Sequence, residues 1–278
     1  MKRSIAIIIS CVVILIALGI VLYPLVSNYV NDKYQSVLQT NYDETVQDMD
    51  AVQRELAMQE AREYNENLSP ILFSGDRVKT PDYKRLLDPE GTGIMAYVEI
   101  PKLSVELPIY HSDDAEVLEK SIGHIEGTAL PVGGEGCHCV LTGHSGVAGK
   151  RLFSDLDKLT EEDVFYIHVL NTTLAYEVAD INTVLPHETE YLEPVEGEDF
   201  CTLVTCTPFG VNTHRLLVKG SRIPYEEAQV LEEQGEPAES TWRQQYICGL
   251  LLGGAVLVGM SLLILFAMLL WRKRHEKE

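Results

Sequence analysis

The feature that most constrains this chain is its pair of apolar ends. No charged residue occurs between Arg3 and Asp32, and residues 5–22 are nearly continuous hydrocarbon. A helix needs about 20 apolar residues to cross a bilayer, so this run suffices for one crossing. A cleaved export signal would have an apolar core of only about 7–15 residues, followed by a small-residue cleavage site. Here the run is longer and leads into Tyr23-Pro24-Leu25, which reads as an uncleaved anchor. Residues 247–271 also carry no charge and end in Trp271-Arg272-Lys273-Arg274, with an interfacial ring and a basic cluster that mark a membrane exit. A lipid-anchor signal would instead finish in its apolar tail. Lys2 and Arg3 flank the first run on its outer side, so the positive-inside rule places both termini in the cytoplasm. The middle of the chain then lies outside the cell.

That middle is acidic. Across the chain, 42 Asp and Glu oppose 22 Lys and Arg, a formal charge of −20. Nucleic acid is excluded as a partner, because phosphate binding needs a basic face. With 46% hydrophobic and 23% charged residues, the composition is that of a chain that folds around a core.

Four of the six cysteines, Cys137, Cys139, Cys201 and Cys206, fall in the exterior part, and Cys11 and Cys248 in the apolar ends. A domain of this size folds without disulfides. Cys139 and Cys201 sit on expected core strands and read as buried thiols, although an oxidising exterior would allow them to pair. Cys137-x-Cys139 has the wrong spacing for structural zinc and no second pair. No metal or other cofactor is expected. The acidic run Glu188, Glu190, Glu193, Glu196, Glu198 and Asp199 reads as a solvated loop.

Apolar residues recur in steps of three and four at Tyr34, Leu38, Tyr42, Val46, Met49, Val52 and Leu56, inside a stretch without Gly or Pro. One amphipathic helix over 32–68 is predicted. Residues 68–89 hold Pro70, Gly75, Pro81 and Pro89 and read as an irregular covering segment. From Gly93 the pattern changes to short strands, expected at 94–100, 105–109, 137–141, 164–170, 174–184, 200–206 and 214–223. Short helical patches are expected near 115–120 and 152–159. Many strands at short spacing imply a closed barrel or a sandwich. Residues 223–240, acidic and bounded by Pro224 and Pro237, read as a linker. The predicted partition is an anchor at 1–30, an extracellular helix and lid-like segment at 31–92, and a β-domain at 93–225. An acidic linker at 226–245 and a second span with a basic tail at 246–278 complete it.

Three residues carry chemistry. Cys206 ends an apolar strand and is followed by Thr207-Pro208; proline stops a ladder, so the thiol lies at a strand mouth. Arg215 opens the next strand after a short turn, so a hairpin can set guanidinium beside thiol. His144 sits between Gly143 and Ser145-Gly146 just past another strand. Thiolate is a nucleophile favoured by neighbouring cations. An imidazolium can protonate a leaving amine, and a guanidinium can hold a developing oxyanion.

Thr202-Leu203-Val204-Thr205-Cys206, with Arg215 nine residues on, resembles the active-site signature of sortases, and Leu141-Thr142-Gly143-His144 resembles their histidine motif. The similarity runs from about Gly93 to Tyr225. Residues 93–102, Leu107-Pro108-Ile109-Tyr110-His111, Gly127-Thr128 and the two-span layout resemble the class C, pilin-polymerising sortases. The resemblance implies a mainly-β fold: an eight-stranded barrel with short helices, preceded by an amphipathic helix and carrying a transmembrane helix at each end. It also implies a sorting signal of the LPXTG type on a pilin or surface-protein precursor, cleaved between Thr and Gly. Cys206 would form the acyl-enzyme, His144 would protonate the leaving glycine amine, and Arg215 would hold the carbonyl. A pilin lysine, or alternatively a cell-wall cross-bridge amine, would accept the acyl group. A papain-type protease is disfavoured because His144 precedes Cys206. One departure stands out. Class C relatives usually carry an Asp-Pro-aromatic lid triplet, and none occurs in 68–85; Asp88-Pro89-Glu90 lacks the ring, while Phe73 and Asp76 supply ring and acid in another arrangement. A weak lid and a mobile 68–89 segment are expected.

Overall fold

A computed structural model describes residues 2–68, 82–147 and 150–238, together with positions 253, 254 and 259. The chain divides into two compact units, Tyr29–Ala238 and Met1–Asn28 with Glu239–Glu278. Among the described residues no helix is long and apolar enough to cross a membrane.

The larger unit is a closed β-barrel. Its strands are β1 (Ile94–Ile100), β2 (Val105–His111), β3 (Ile122–His124), β4 (Cys137–Thr142), β5 (Val164–Val169), β6 (Thr172–Val184), β7 (Asp199–Thr207) and β8 (His214–Ile223). They close in the order β1-β2-β3-β4-β7-β8-β6-β5. Most neighbours are antiparallel; β2 with β3 and β4 with β7 are parallel. Alternation along each strand sends one set of side chains inward. Ile100, Ile109, Leu141, Phe165, Ile167, Tyr176, Leu203 and Val218 are fully buried there. Each such side chain stabilises the fold by about 1.5–3 kcal/mol through burial.

Seven strands fall where the alternation predicts them. The eighth, β3, has only three residues, too few to show a period. Gly123 allows it: a Cβ there would lie 2.1 Å from the Ser112 carbonyl oxygen.

The predicted single helix over 32–68 is two helices, α1 (Lys2–Asp48) and α2 (Ala51–Glu66). Asp50 breaks it. Its carboxylate accepts from the Gln53 amide at 2.7 Å, while Gln53 Oε1 accepts from the Asp50 amide at 3.0 Å. This capping box starts a new helix in a new phase. Tyr42 and Val46 are buried as the stripe predicts, but Val52 and Leu56 are exposed, and Met58, Ala61 and Tyr64 are buried instead. The Tyr42 hydroxyl ties α1 to the barrel, donating to the Met95 carbonyl and accepting from the Leu170 amide.

The covering segment is corrected in part. Residues 69–81, with Phe73 and Asp76, lie outside the described residues, but Asp82–Gly93 is firmly seated. Tyr83 lies in a short 3-10 turn (Tyr83–Arg85) and is fully buried. Its hydroxyl meets His124 Nδ1 at 2.8 Å and accepts from the Ser112 amide at 3.1 Å. His111 Nε2 lies 2.7 Å from the Leu86 carbonyl. Asp88, the acid of Asp88-Pro89-Glu90, accepts from the Thr92 and Gly93 amides with its two oxygens. The helical patch expected near 115–120 is one short helix, α3 (Ala115–Leu118), and the linker reading is also corrected: Tyr225–Gln234 forms a helix, α4. Pro224 precedes its first turn, where a missing amide hydrogen costs nothing. Ala228 is buried with Val164, Tyr166 and Ala175 on the barrel's outer surface, and the Tyr166 hydroxyl donates to Glu232 at 2.7 Å.

Candidate active site

The site is built where β4, β7 and β8 end together. In β7, Cys201 and Leu203 point into the barrel. Thr202, Val204 and Cys206 therefore share the other face. The antiparallel register of β7 and β8 sets Cys206 directly opposite Arg215. The intervening turn is tight: the Val211 and Asn212 amides both donate to the Pro208 carbonyl, and Gly210 and Asn212 adopt positive φ. Arg215 Nη1 donates to the His214 carbonyl at 3.1 Å and to the Asn212 carbonyl at 3.4 Å. The guanidinium is thus steadied by its own turn. Among the described residues no carboxylate pairs with it.

His144 arrives through the parallel pairing. The β4–β7 register runs from Cys137↔Asp199 to Thr142↔Val204. Two residues beyond Thr142 lies His144, and two beyond Val204 lies Cys206. The ladder carries on past the strand ends: the Gly143 amide donates to the Val204 carbonyl at 3.0 Å, and the Thr205 hydroxyl donates to the Gly143 carbonyl at 2.8 Å. Gly143 is obligatory here, since a Cβ would lie 2.7 Å from Ile122 and 2.8 Å from Phe153. The Phe153 amide then donates to the His144 carbonyl. The ring of Phe209 lies against Gly146, so the histidine loop and the β7–β8 turn touch.

His144, Cys206 and Arg215 line one cavity of about 360 Å³. The three residues expected from the sequence are therefore brought together, with Cys206 half-buried. Val204 and Leu217 form the floor, and Val184 and Leu192 the side wall. Leu192 was hidden within the acidic run: it is buried against Val140, Val204 and Leu217 while most carboxylates around it face solvent. Its signal was weak, because Tyr191 and Val195 in the same charged loop are also apolar yet stand exposed.

The remaining thiols and imidazoles have structural surroundings. Cys139 and Cys201 are free, buried and opposite each other across β4 and β7. Burial pushes the Cys201 thiol well above its ordinary range. Burial, then the nearby Asp199 carboxylate, pushes half-buried Cys137 up to about 11. His138 is buried, with Nε2 2.7 Å from the Thr202 hydroxyl and Nδ1 3.0 Å from the Glu193 carbonyl. His124 contacts Tyr83, the Thr128 hydroxyl and the Ala129 carbonyl. Among the described residues no three His, Cys, Asp or Glu side chains are grouped to hold a metal.

Residues 98–223 match the family model of the Sortase domain. Sequence relatives include sortase D of Bacillus subtilis, 28% identical over 50% of this chain and 69% of that protein, and sortase A of Bacillus anthracis, 28% identical over 47% and 60%. The chain belongs to the sortase family, a family of cysteine transpeptidases. Within that family, similar solved structures include several sortases C. The crystal structure of sortase C1 from Streptococcus agalactiae is 43% identical over 66% of this chain and 97% of its own, with a TM-score of 0.62. Sortase C of Streptococcus pneumoniae is 42% identical over 67% and 96%, with a TM-score of 0.61. Sortase C-1 of Actinomyces oris is 45% identical over 62% and 98%, with a TM-score of 0.56.

Proposed function

We propose that this chain is a membrane-anchored transpeptidase that cleaves an LPXTG-type sorting signal between Thr and Gly. It passes the acyl group to a lysine amine of a pilin subunit, building covalent pili. The observation that carries the reading is the direct opposition of Cys206 and Arg215 in one cavity with His144. The likeness to the Streptococcus pneumoniae sortase C, a structure described as giving insight into pilin substrate specificity, supports the pilin substrate.

The Cys206 sulfur attacks the Thr carbonyl carbon, and the carbonyl oxygen takes up charge. Arg215 N–H groups stabilise that oxygen. His144 gives its proton to the glycine nitrogen as the C–N bond breaks, leaving a thioester on Cys206. The incoming lysine nitrogen attacks the thioester, its proton passes to His144, and the thiolate departs. No metal or cofactor enters these steps. The floor of Val204 and Leu217 suits the apolar Leu-Pro half of the signal.

The apolar ends hold the enzyme where exported precursors emerge, with both termini cytoplasmic and the barrel outside. Val12, Leu15, Ile16 and Val26 stand exposed on α1, as a lipid-facing surface requires. Protease added to intact protoplasts digests the barrel under this topology; full protection of 93–225 would refute it.

The enzymatic test is capture of an LPXTG peptide as a thioester on Cys206, read by intact mass, followed by resolution with a pilin lysine peptide. Resolution only by a cross-bridge amine would assign the enzyme to surface-protein attachment.

A further inference from the structure

Beside the active-site cavity lies a second, of about 670 Å³, a volume typical of ligand sites, which run from about 300 to 1,000 Å³. Its walls are the end of α2 at Arg62 and Asn65, the Gly133-Gly134-Glu135 turn before β4, and Leu192 and Pro194 of the β6–β7 loop; Cys137 and His138 form its floor. The two cavities share Gly127, Thr128 and Leu192, so they are direct neighbours along the barrel surface.

We propose that the second cavity binds the polypeptide tether on the N-terminal side of the sorting signal, the segment that joins the signal to the folded part of the substrate protein. The proposal rests on the transpeptidase reading above. The direction follows from the apolar floor: Val204 and Leu217 lie back along β7 and β8 from Cys206 and Arg215 and suit the Leu-Pro half of the signal, so the leaving side of the peptide lies toward the strand ends. The acyl side runs back along β7, over Val204 and toward Leu192.

The length agrees. From Cys206 back to Thr202 is four strand residues, or about 13 Å at ~3.3 Å per residue. An extended peptide of four residues, Leu-Pro-X-Thr, covers the same span. His138, hydrogen-bonded to Thr202, is the floor of the second cavity. The residue preceding the pentapeptide therefore enters it.

The walls are fixed before any peptide arrives. Asn65 accepts from the Leu130 amide at 2.7 Å and donates to the Leu130 carbonyl at 3.2 Å, which locks α2 to the loop before β4. His138 Nδ1 holds the Glu193 carbonyl of the opposite wall. The lining mixes glycine backbone and small apolar side chains with the uncharged hydrogen-bonding groups of Asn65 and Thr128, and the acidic and guanidinium groups, Arg62, Glu66 and Glu135, stand exposed at the rim. Such a lining suits an extended backbone rather than a charged small molecule. Because everything N-terminal to the scissile bond stays attached through both half-reactions, the cavity grips substrate, acyl-enzyme and product alike.

The test compares a blocked LPXTG pentapeptide with versions extended by four residues on the N-terminal or C-terminal side. The expected result is a KM for acylation at least fivefold lower with the N-terminal extension and changed less than twofold by the C-terminal one. Glu135→Trp with Pro194→Trp, both at exposed positions, should reduce the advantage to under twofold while leaving acylation by the bare pentapeptide unchanged. In the Cys206→Ala protein, the N-extended peptide should slow alkylation of Cys137 by N-ethylmaleimide at least threefold, and the bare pentapeptide should not. Equal KM values for the bare and N-extended peptides, or a gain from the C-terminal extension alone, would overturn the tether site while thioester formation upholds the transpeptidase. Absence of a Cys206 thioester with every peptide would instead overturn the transpeptidase reading, and the tether site with it.

Discussion

The two faces of β7 carry thiols of opposite character. Cys201 and Cys206 lie in one nine-residue strand, an odd number of positions apart, so the pleat turns them to opposite faces. Cys201 is fully buried, faces Cys139 across the parallel ladder, and has a thiol that burial holds in its protonated form. Cys206 is half-buried at the strand's mouth, opposite a guanidinium. The same residue type in the same strand is packing material on one side and, in the proposed reaction, the nucleophile on the other. Location on the pleat, rather than the strand's apolar character, separates the two roles.

The sharpest way to break this comparison is to swap which thiol is removed. Cys206→Ala should lower acyl-enzyme formation more than ~10³-fold, because no other group supplies the nucleophile. Cys139→Ala or Cys201→Ala should keep it within about tenfold. Intact-mass capture of an LPXTG peptide reads both, and the reverse pattern would refute the assignment. Next come the partners on the outer face. His144→Ala and Arg215→Ala should each cost ~10²–10⁴-fold in kcat/KM for acylation while leaving the melting temperature close to wild type. A loss within tenfold for either would remove it from the chemistry.

The floor beneath the trio gives a smaller effect. Gly143→Ala places a methyl group inside contact distance of Ile122 and Phe153. Overpacking of this kind costs about 1–3 kcal/mol, measurable by urea denaturation, and the shift should also displace His144. The smallest effect is on pH. Burial holds His138 and His111 below the ordinary imidazole value of 6.5. Their unfolded forms therefore bind protons more readily than their folded forms. Their contribution to stability is complete above pH 6.5 and is lost as pH falls through the lowered folded values. Urea midpoints should decline on acidification below 6.5, and His138→Gln should flatten the decline. A midpoint that rises on acidification would contradict the buried neutral state.

How much of this was legible in the sequence depended on the range of the interaction. The strands β1, β2 and β4 to β8 follow from alternation punctuated by Gly and Pro. The Cys206–Arg215 opposition follows from a short turn between two strands. The approach of His144 to Cys206 has no local signal, because it depends on parallel pairing across a long crossover; only the family motif pointed to it. The helix break at Asp50 is hidden in the sequence because the apolar stripe runs through it with no Gly or Pro to mark a stop. The helix α4 was missed because its buried side, centred on Ala228, is narrow within an acidic run. The cavity walls at Val184, Leu192 and Thr128 exist only once the barrel closes, so no spacing in the chain announces them.

The parallel pairing of β4 with β7 also separates two evolutionary tasks. Parallel neighbours need a crossover, and here that crossover contains β5, β6 and the loop bearing Leu192. The floor that carries His144 and Cys206 is fixed by a ladder on either side of it. The wall can lengthen, shorten or change composition without altering that ladder's register. Lineages built on this barrel can therefore diversify the proteins they recognise while the bond-making geometry stays constant. A β6–β7 loop exchanged between two such enzymes should carry its preference across and leave turnover behind.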